Sequence, residues 1–267
     1  MNDPYKIELP FVVSFSGGRT SGYMLRKILD AYGGTLPKGG VVAFGNTGRE
    51  HAATYDFINA IEKNWACPIV WLEYRASPEK FAVVNYETAN RDGKHFGDLI
   101  TKRKFLPNPI ARFCTSELKV IPIRRYMESL GYSEFATAIG LRHDEPRRVA
   151  KVKADLERDI QAPLFDAGAD EETVLEYWRK NNFDLKLPNN DKAFGNCDLC
   201  FLKSQSRIER VIEEAPDTAR WWIDQENKGG TFRNDRPRYR DMFTQVTTQG
   251  KLFQDLKDDT RPCDCTD

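Results

Sequence analysis

Residues 14 to 22 read SFSGGRTSG. They stand between the apolar run Phe11-Val12-Val13 and the stretch YMLRKILDAY, where Met24, Leu25, Ile28, Leu29 and Tyr32 recur at helical spacing. A strand that runs through a glycine turn into a helix presents that helix's first N–H groups, and the positive end of its dipole, at the turn. Gly17 and Gly18 reach backbone conformations closed to other residues and leave room for an oxygen-rich ligand. Ser14, Ser16, Thr20 and Ser21 offer hydroxyls, and Arg19 offers a planar cationic fork. The loop suits a chain of phosphates; an ordinary tight turn with a serine cap is the plainer reading. The dipole alone contributes only about 0.3–1 kcal/mol at an exposed site, so several N–H bonds and a cation are needed beside it. The spacing is neither that of the Walker loop with its lysine nor GxGxxG.

Outward from this loop, short apolar runs alternate with amphipathic stretches. The strand candidates are Phe11–Phe15, Val41–Phe44, Ile69–Leu72 and Ala136–Leu141, with a weaker one at Ala162–Phe165. Phe57, Ile58 and Ile61 mark a second helix. Such alternation predicts an α/β fold with a parallel sheet covered on both faces. Ligands on these sheets bind beyond the carboxyl ends of the strands. From about Asp166 the rhythm changes to helices near Glu171–Asn181, Ser206–Glu214 and Thr218–Glu226. The division expected is a nucleotide-binding domain over 1–166 and a smaller helical, cysteine-bearing region over 167–267.

The chain has 267 residues, 40 basic and 40 acidic, so no overall field draws in a polyanion. No run of about 18 apolar residues suggests a membrane span, and the N-terminus lacks the pattern of a signal peptide. A cytoplasmic protein is expected. Of six cysteines, Cys67 lies in an apolar stretch and reads as core. Cys197 and Cys200 stand one turn apart, a spacing that suits one metal centre.

Three further segments follow strand candidates or stand between them: GNTGREH (45–51), RFCTSELKVIP (112–122) and GLRHDEPRR (140–148). Singly, each has a bland alternative as turn, cap or solvated charge. In this order, over about residues 11–203, they resemble the phosphoadenosine phosphosulfate (PAPS) reductase family and its PP-loop ATP pyrophosphatase kin. Sequences with CDLCFLK and a terminal CxCTD are the subgroup most similar. The resemblance implies a five-stranded parallel sheet of the HUP type. It implies that Ser16 to Ser21 hold phosphates and that Asn46, Thr47 and Gly48 lie by the nucleotide. Lys119, Arg142 and Arg148 would supply positive charge at the reacting phosphates or sulfate. Asn46 stands where the family usually has Asp, which puts a metal or proton role there in doubt. Arg19 stands where SGGKDS loops have lysine, which changes the geometry.

The same resemblance brings Cys114 to Cys197 and Cys200, with Cys263 or Cys265 as a further ligand. A 4Fe-4S cluster, a structural zinc, and redox thiols with a mobile tail cysteine all remain open. Three functions are compatible. The first is cleavage of ATP between its α and β phosphates coupled to sulfur transfer, with magnesium as a compatible counter-ion. The second is reduction of PAPS or adenylyl sulfate (APS), which needs a nucleophile where this chain ends CDCTD rather than ECGLH. The third is a non-catalytic nucleotide-binding subunit that contacts nucleic acid or protein. In that case Trp221, Trp222, Arg233, Arg236, Arg238, Tyr239 and Arg240 would stack and pair with a strand, although a helix core contact and a solvated loop suit them better. An adenine nucleotide is the expected small-molecule partner, and an oligomer is compatible with the sequence.

Overall fold

The computed structural model describes residues 3–155 and 158–249. Cys263 and Cys265 lie outside the described residues.

Six strands form one sheet: β1 (Phe11–Ser14), β2 (Gly40–Asn46), β3 (Val70–Tyr74), β4 (Phe81–Val84), β5 (Ala136–Ile139) and β6 (Asp159–Gln161), in the order β4-β3-β2-β1-β5-β6. Five of them run parallel, as expected, and β4 adds an antiparallel edge to β3 that the expected five-stranded sheet lacks. The strand expected at Ala162–Phe165 is displaced. Strand β6 ends at Gln161, and Pro163, fixed in φ and free of an N–H, opens a short helix, Pro163–Asp166.

The helices are α1 (Arg19–Ala31), α2 (Ala52–Trp65), α3 (Lys94–Arg103), α4 (Phe113–Thr115), α5 (Ile121–Ser129), α6 (Pro146–Lys153), α7 (Pro163–Asp166), α8 (Glu171–Arg179), α9 (Gln205–Glu214), α10 (Thr218–Lys228) and α11 (Tyr239–Gln249). Between α4 and α5 the chain forms a π-helical turn over Ser116–Val120.

Alternation along β1 sorts the two faces. Phe11 and Val13 pack with Met24, Leu25 and Ile28 of α1 and with Phe57, Ile58 and Ile61 of α2. Val12 points the other way, to Ala43, Leu72 and the Ile123 and Met127 side chains of α5. The larger cluster continues without a break through Trp178 of α8, Leu199, Phe201 and Trp222 of α10. Residues on both sides of position 166 therefore share one core.

Strand β1 is the switch point, with β2 on one side and the distant β5 on the other. The crevice opens beyond the carboxyl ends of β1 and β5. Two glycines bring helices close to it. A Cβ on Gly45 would lie 2.9 Å from the Cα of Lys119, and one on Gly140 would lie 3.2 Å from the Cα of Ser21. The π-helical turn and the start of α1 can thus approach the strand ends.

Candidate functional site: a phosphate loop and a thiol cavity

The loop after β1 is held by Ser21. Its hydroxyl donates to the Gly18 carbonyl (3.1 Å) and accepts from the Ser16 N–H (3.3 Å). The Ser16 and Ser21 hydroxyls lie 2.9 Å apart, and with Ser21's proton engaged, Ser16 is the donor. Gly17 sits at φ +80°, where a Cβ would also strike Thr54 at 2.6 Å. Gly18 caps α1 without any side-chain hydrogen bond, so the first-turn N–H groups have no side-chain cap.

Ser14 and Ser16 line a groove of about 1280 Å³ together with Gly45, Thr115, Lys119 and Thr137. Arg19 is turned to another task. Its guanidinium donates to both Asp184 oxygens (2.7 and 2.8 Å), to the Leu185 carbonyl (2.7 Å) and to Asn190 (3.1 Å). It fastens the segment after α8 to the loop, and the Trp178 indole donates to the Arg19 carbonyl (2.8 Å) beside it. Arg142 reaches Thr20 at 3.4 Å and is paired with Asp144 at 3.0 Å. Arg148 pairs with Glu145. The groove is lined by neither of these two arginines.

The turn after β2 is saturated. Buried Asn46 donates to Glu73 and to the Asn90 carbonyl (2.8 Å each), and accepts from the Gly48 N–H and the Tyr55 hydroxyl (2.9 Å each). That is the full hydrogen-bonding capacity of an amide, so Asn46 acts as a junction of the fold. An aspartate there would lose both donors. Thr47 donates to Glu50 (2.8 Å), and its hydroxyl lies 3.4 Å from the Cys197 sulfur. Because the Thr47 proton is held by a carboxylate, Cys197 is the donor in that contact.

Glu50 pairs in a β-bridge with Cys197 and lies 3.9 Å from the Lys119 ammonium. Asp198 donates its N–H to the Arg49 carbonyl (2.7 Å) and forms an ion pair with the Arg49 guanidinium. The Trp222 indole donates to Asp198 (2.8 Å), and the Tyr239 hydroxyl to the Leu199 carbonyl (2.6 Å). Trp222 and Tyr239 therefore brace the loop from Cys197 to Cys200 from within the core.

These contacts close a small cavity of about 30 Å³, roughly the share of one water. Cys114, Cys197 and Cys200 line it with Thr47, Thr115 and Lys119, under a cover of Phe96, Phe201, Leu202 and Trp222. Burial pushes the Cys197 thiol well above its ordinary range. The Glu50 carboxylate adds to that shift and Lys119 opposes it. Burial likewise raises Asp198 against the pull of Arg49.

Thiols under an apolar cover are the donor type that iron–sulfur and zinc sites use. Among the described residues, no three His, Cys, Asp or Glu side chains converge closely enough to hold a metal ion. The donor types fit such a centre, and the three cysteines would have to draw together to bind one.

The sequence reading passed over Glu50, Tyr55 and Asp198. Glu50 had a local signal, since Thr47-x-x-Glu50 has capping-box spacing and the carboxylate does reach back to the Thr47 N–H (3.2 Å). Asp198 had none, because its partners Arg49 and Trp222 are distant in sequence.

A mostly parallel sheet with a glycine turn after its first strand and a cysteine-lined cavity beside it defines an α/β fold. The family model of the phosphoadenosine phosphosulfate reductase domain matches residues 10–186, and the chain belongs to that family. It is 33% identical over 253 residues to "Uncharacterized nin region protein ORF290" of Escherichia phage lambda, covering 91% of this chain and 82% of that one. Two solved structures are more distant. The PAPS reductase of Candida auris, in its phosphate complex, has 18% identity and a TM-score of 0.37, over 66% of this chain and 75% of that one. The U34-tRNA thiolase NcsA of Methanococcus maripaludis, with its 4Fe-4S cluster, has 16% identity and a TM-score of 0.42, over 98% of this chain and 81% of that one. Among the described residues no helix is long and apolar enough to cross a membrane.

Proposed function

We propose that this chain cleaves ATP between its α and β phosphates and uses the adenylate to activate an oxygen for replacement by sulfur. The observation that carries this reading is a shared wall. Thr115 and Lys119 line both the thiol cavity and the groove that runs from Ser14 and Ser16 across the sheet to Pro10 and Phe135. Phosphates held at the start of α1 would lie on one side of Lys119, and sulfur on the other.

The acceptor oxygen attacks the α phosphorus, the bond to the bridging oxygen breaks, and pyrophosphate leaves. A sulfur nucleophile then attacks the acceptor carbon, and AMP departs with the oxygen. First-turn N–H groups of α1 and the Ser14 and Ser16 hydroxyls would hold the phosphate oxygens, with magnesium as counter-ion. Lys119 would offset charge on the departing pyrophosphate in a partly dry site. Arg142, beside Thr20, and Arg148 would add positive charge once anion binding draws them from their carboxylates. Cys114, Cys197 and Cys200, with Cys263 or Cys265, would hold an iron–sulfur cluster, which supplies sulfur handling when bound. Thr47 and Gly48 would form the wall between nucleotide and thiols, and Asn46 would hold that turn in shape.

The test is product analysis under anaerobic conditions, with radiolabelled ATP plus total cellular nucleic acid, or with PAPS. AMP and pyrophosphate from ATP, lost in Lys119→Ala, support the reading. Sulfite from PAPS without pyrophosphate from ATP would replace it with sulfonucleotide reduction. ADP and phosphate would contradict both.

A further inference from the structure

A chain with no net charge carries a strongly basic segment at the end of α3 and after it. Between residues 101 and 128 there are seven cations, Lys102, Arg103, Lys104, Arg112, Lys119, Arg124 and Arg125, against two carboxylates, Glu117 and Glu128. Apart from Lys119 and Arg112, which are partly buried, these cations are exposed. The segment is drawn into one surface. Arg103 at the end of α3 pairs with Glu117 on the π-helical turn. Arg124 and Arg125 on α5 both pair with Glu128 (3.0 and 2.8 Å). Arg112, Ser116 and Arg124 form part of the rim of the large groove. The strip therefore leads from open surface directly to the proposed site.

Two apolar side chains stand within it. Ile110 is 97% exposed and Phe105 45% exposed. They are held on a fixed loop. Asn108 accepts from the N–H groups of Ile110 (3.0 Å) and Ala111 (2.9 Å), and Phe105 packs edge-on against Phe113 with ring centroids 5.0 Å apart. Cations with an ordered aromatic face beside a groove match a strand whose phosphates repeat and whose bases stack. An acidic peptide would satisfy the charge but has no bases to stack on the exposed face of Phe105.

We infer that the strip from Lys102 to Arg125 docks a single-stranded nucleic acid and delivers one of its bases, as the sulfur acceptor, into the groove. The inference rests on the reading above for what happens to that base, but binding of the strand is independent of it. Phosphates contact Lys102 and Lys104 and draw Arg124 and Arg125 from Glu128. Phe105 takes a base against its exposed face, and Ile110 wedges beside it.

The test is fluorescence anisotropy of the full chain with labelled 20-mers of single-stranded RNA, single-stranded DNA and duplex DNA across a salt series. The K102Q/K104N/R125Q variant is the probe; asparagine at 104 keeps the left-handed backbone found there (φ 61°). The account predicts binding to a single strand that weakens with salt. In the variant the log–log salt slope becomes shallower by about 2, at roughly 0.7 per lost phosphate contact. Ile110→Ser should weaken binding a few-fold without changing the slope. ATP affinity by calorimetry should be unchanged in both variants. No strand binding, a variant slope equal to wild type, or preference for phosphatidylserine vesicles over every oligonucleotide would overturn it. Loss of ATP binding in the wild type would instead break the nucleotide reading and leave the strip intact.

Discussion

The phosphate loop and the thiol cavity are built in opposite ways. The loop is local: nine consecutive residues make the turn, and Ser21 pins it through partners no more than five residues away. The cavity is assembled from four separate stretches around Thr47, Phe96, Cys114 to Lys119 and Asn196 to Leu202, with Trp222 behind. The loop leaves the first turn of α1 without a side-chain cap. The cavity buries the Cys197 thiol, and that burial pushes its pKa up. Among the described residues, only Thr115 and Lys119 line both the cavity and the groove that Ser14 and Ser16 border.

The largest effect is expected where the two regions touch. Gly45→Val places a Cβ 2.9 Å from the Lys119 Cα and pushes the π-helical turn off β2. Nucleotide turnover should vanish and stability should fall by about 1–3 kcal/mol, as for overpacking, read by urea denaturation. Lys119→Ala removes only the shared cation. Turnover should drop about 10²–10³-fold, as for loss of one charge-stabilising group, with a melting temperature within a few degrees of wild type. A wild-type rate in this variant would divide the two regions.

A subtler contrast concerns Arg19. It stands in the phosphate loop but grips Asp184 with two hydrogen bonds. Asp184→Ala should lower stability by about 1 kcal/mol, the partial exposure of the pair reducing its worth, and change ATP affinity less than three-fold. A tenfold tightening of ATP would show that Asp184 competes with phosphate for this arginine. The smallest effect is on pH. Burial, with Glu62 beside it, pushes the Cys67 thiol from the ordinary 9.0 to about 11. Between those values the unfolded chain gives up its proton while the folded chain keeps it. The contribution of this thiol is full below pH 9 and is lost as pH rises toward 11. The melting temperature should fall over that window, less steeply in Cys67→Val.

Legibility follows the same division. Strands β1, β2, β3 and β5 and the helices α1, α2, α8, α9 and α10 were readable, because each buries a continuous apolar run or a stripe at helical spacing. Strand β4 was not: Phe81–Val84 is an edge strand, half-buried to exposed, and is placed by pairing with β3. Strand β6 is three residues with one buried side chain, Ile160, too short for periodicity. At the site, the family resemblance singled out Lys119, Cys114, Cys197 and Cys200, and the structure puts them around one cavity. The engagement of Arg19 by Asp184, 165 positions away, could not be read, since nothing local marks a long-range ion pair. Glu50 was within a quoted motif, and its capping-box spacing was the available signal.

The central claim is that nucleotide and sulfur meet across Lys119. A crystal structure with a non-hydrolysable ATP analogue tests it most directly. The account predicts the triphosphate along the start of α1, between Ser16 and the Lys119 ammonium, with the α phosphorus facing the side where Cys114 and Cys197 lie. Phosphates lodged away from the glycine loop, with Lys119 still turned to Glu50, would contradict it.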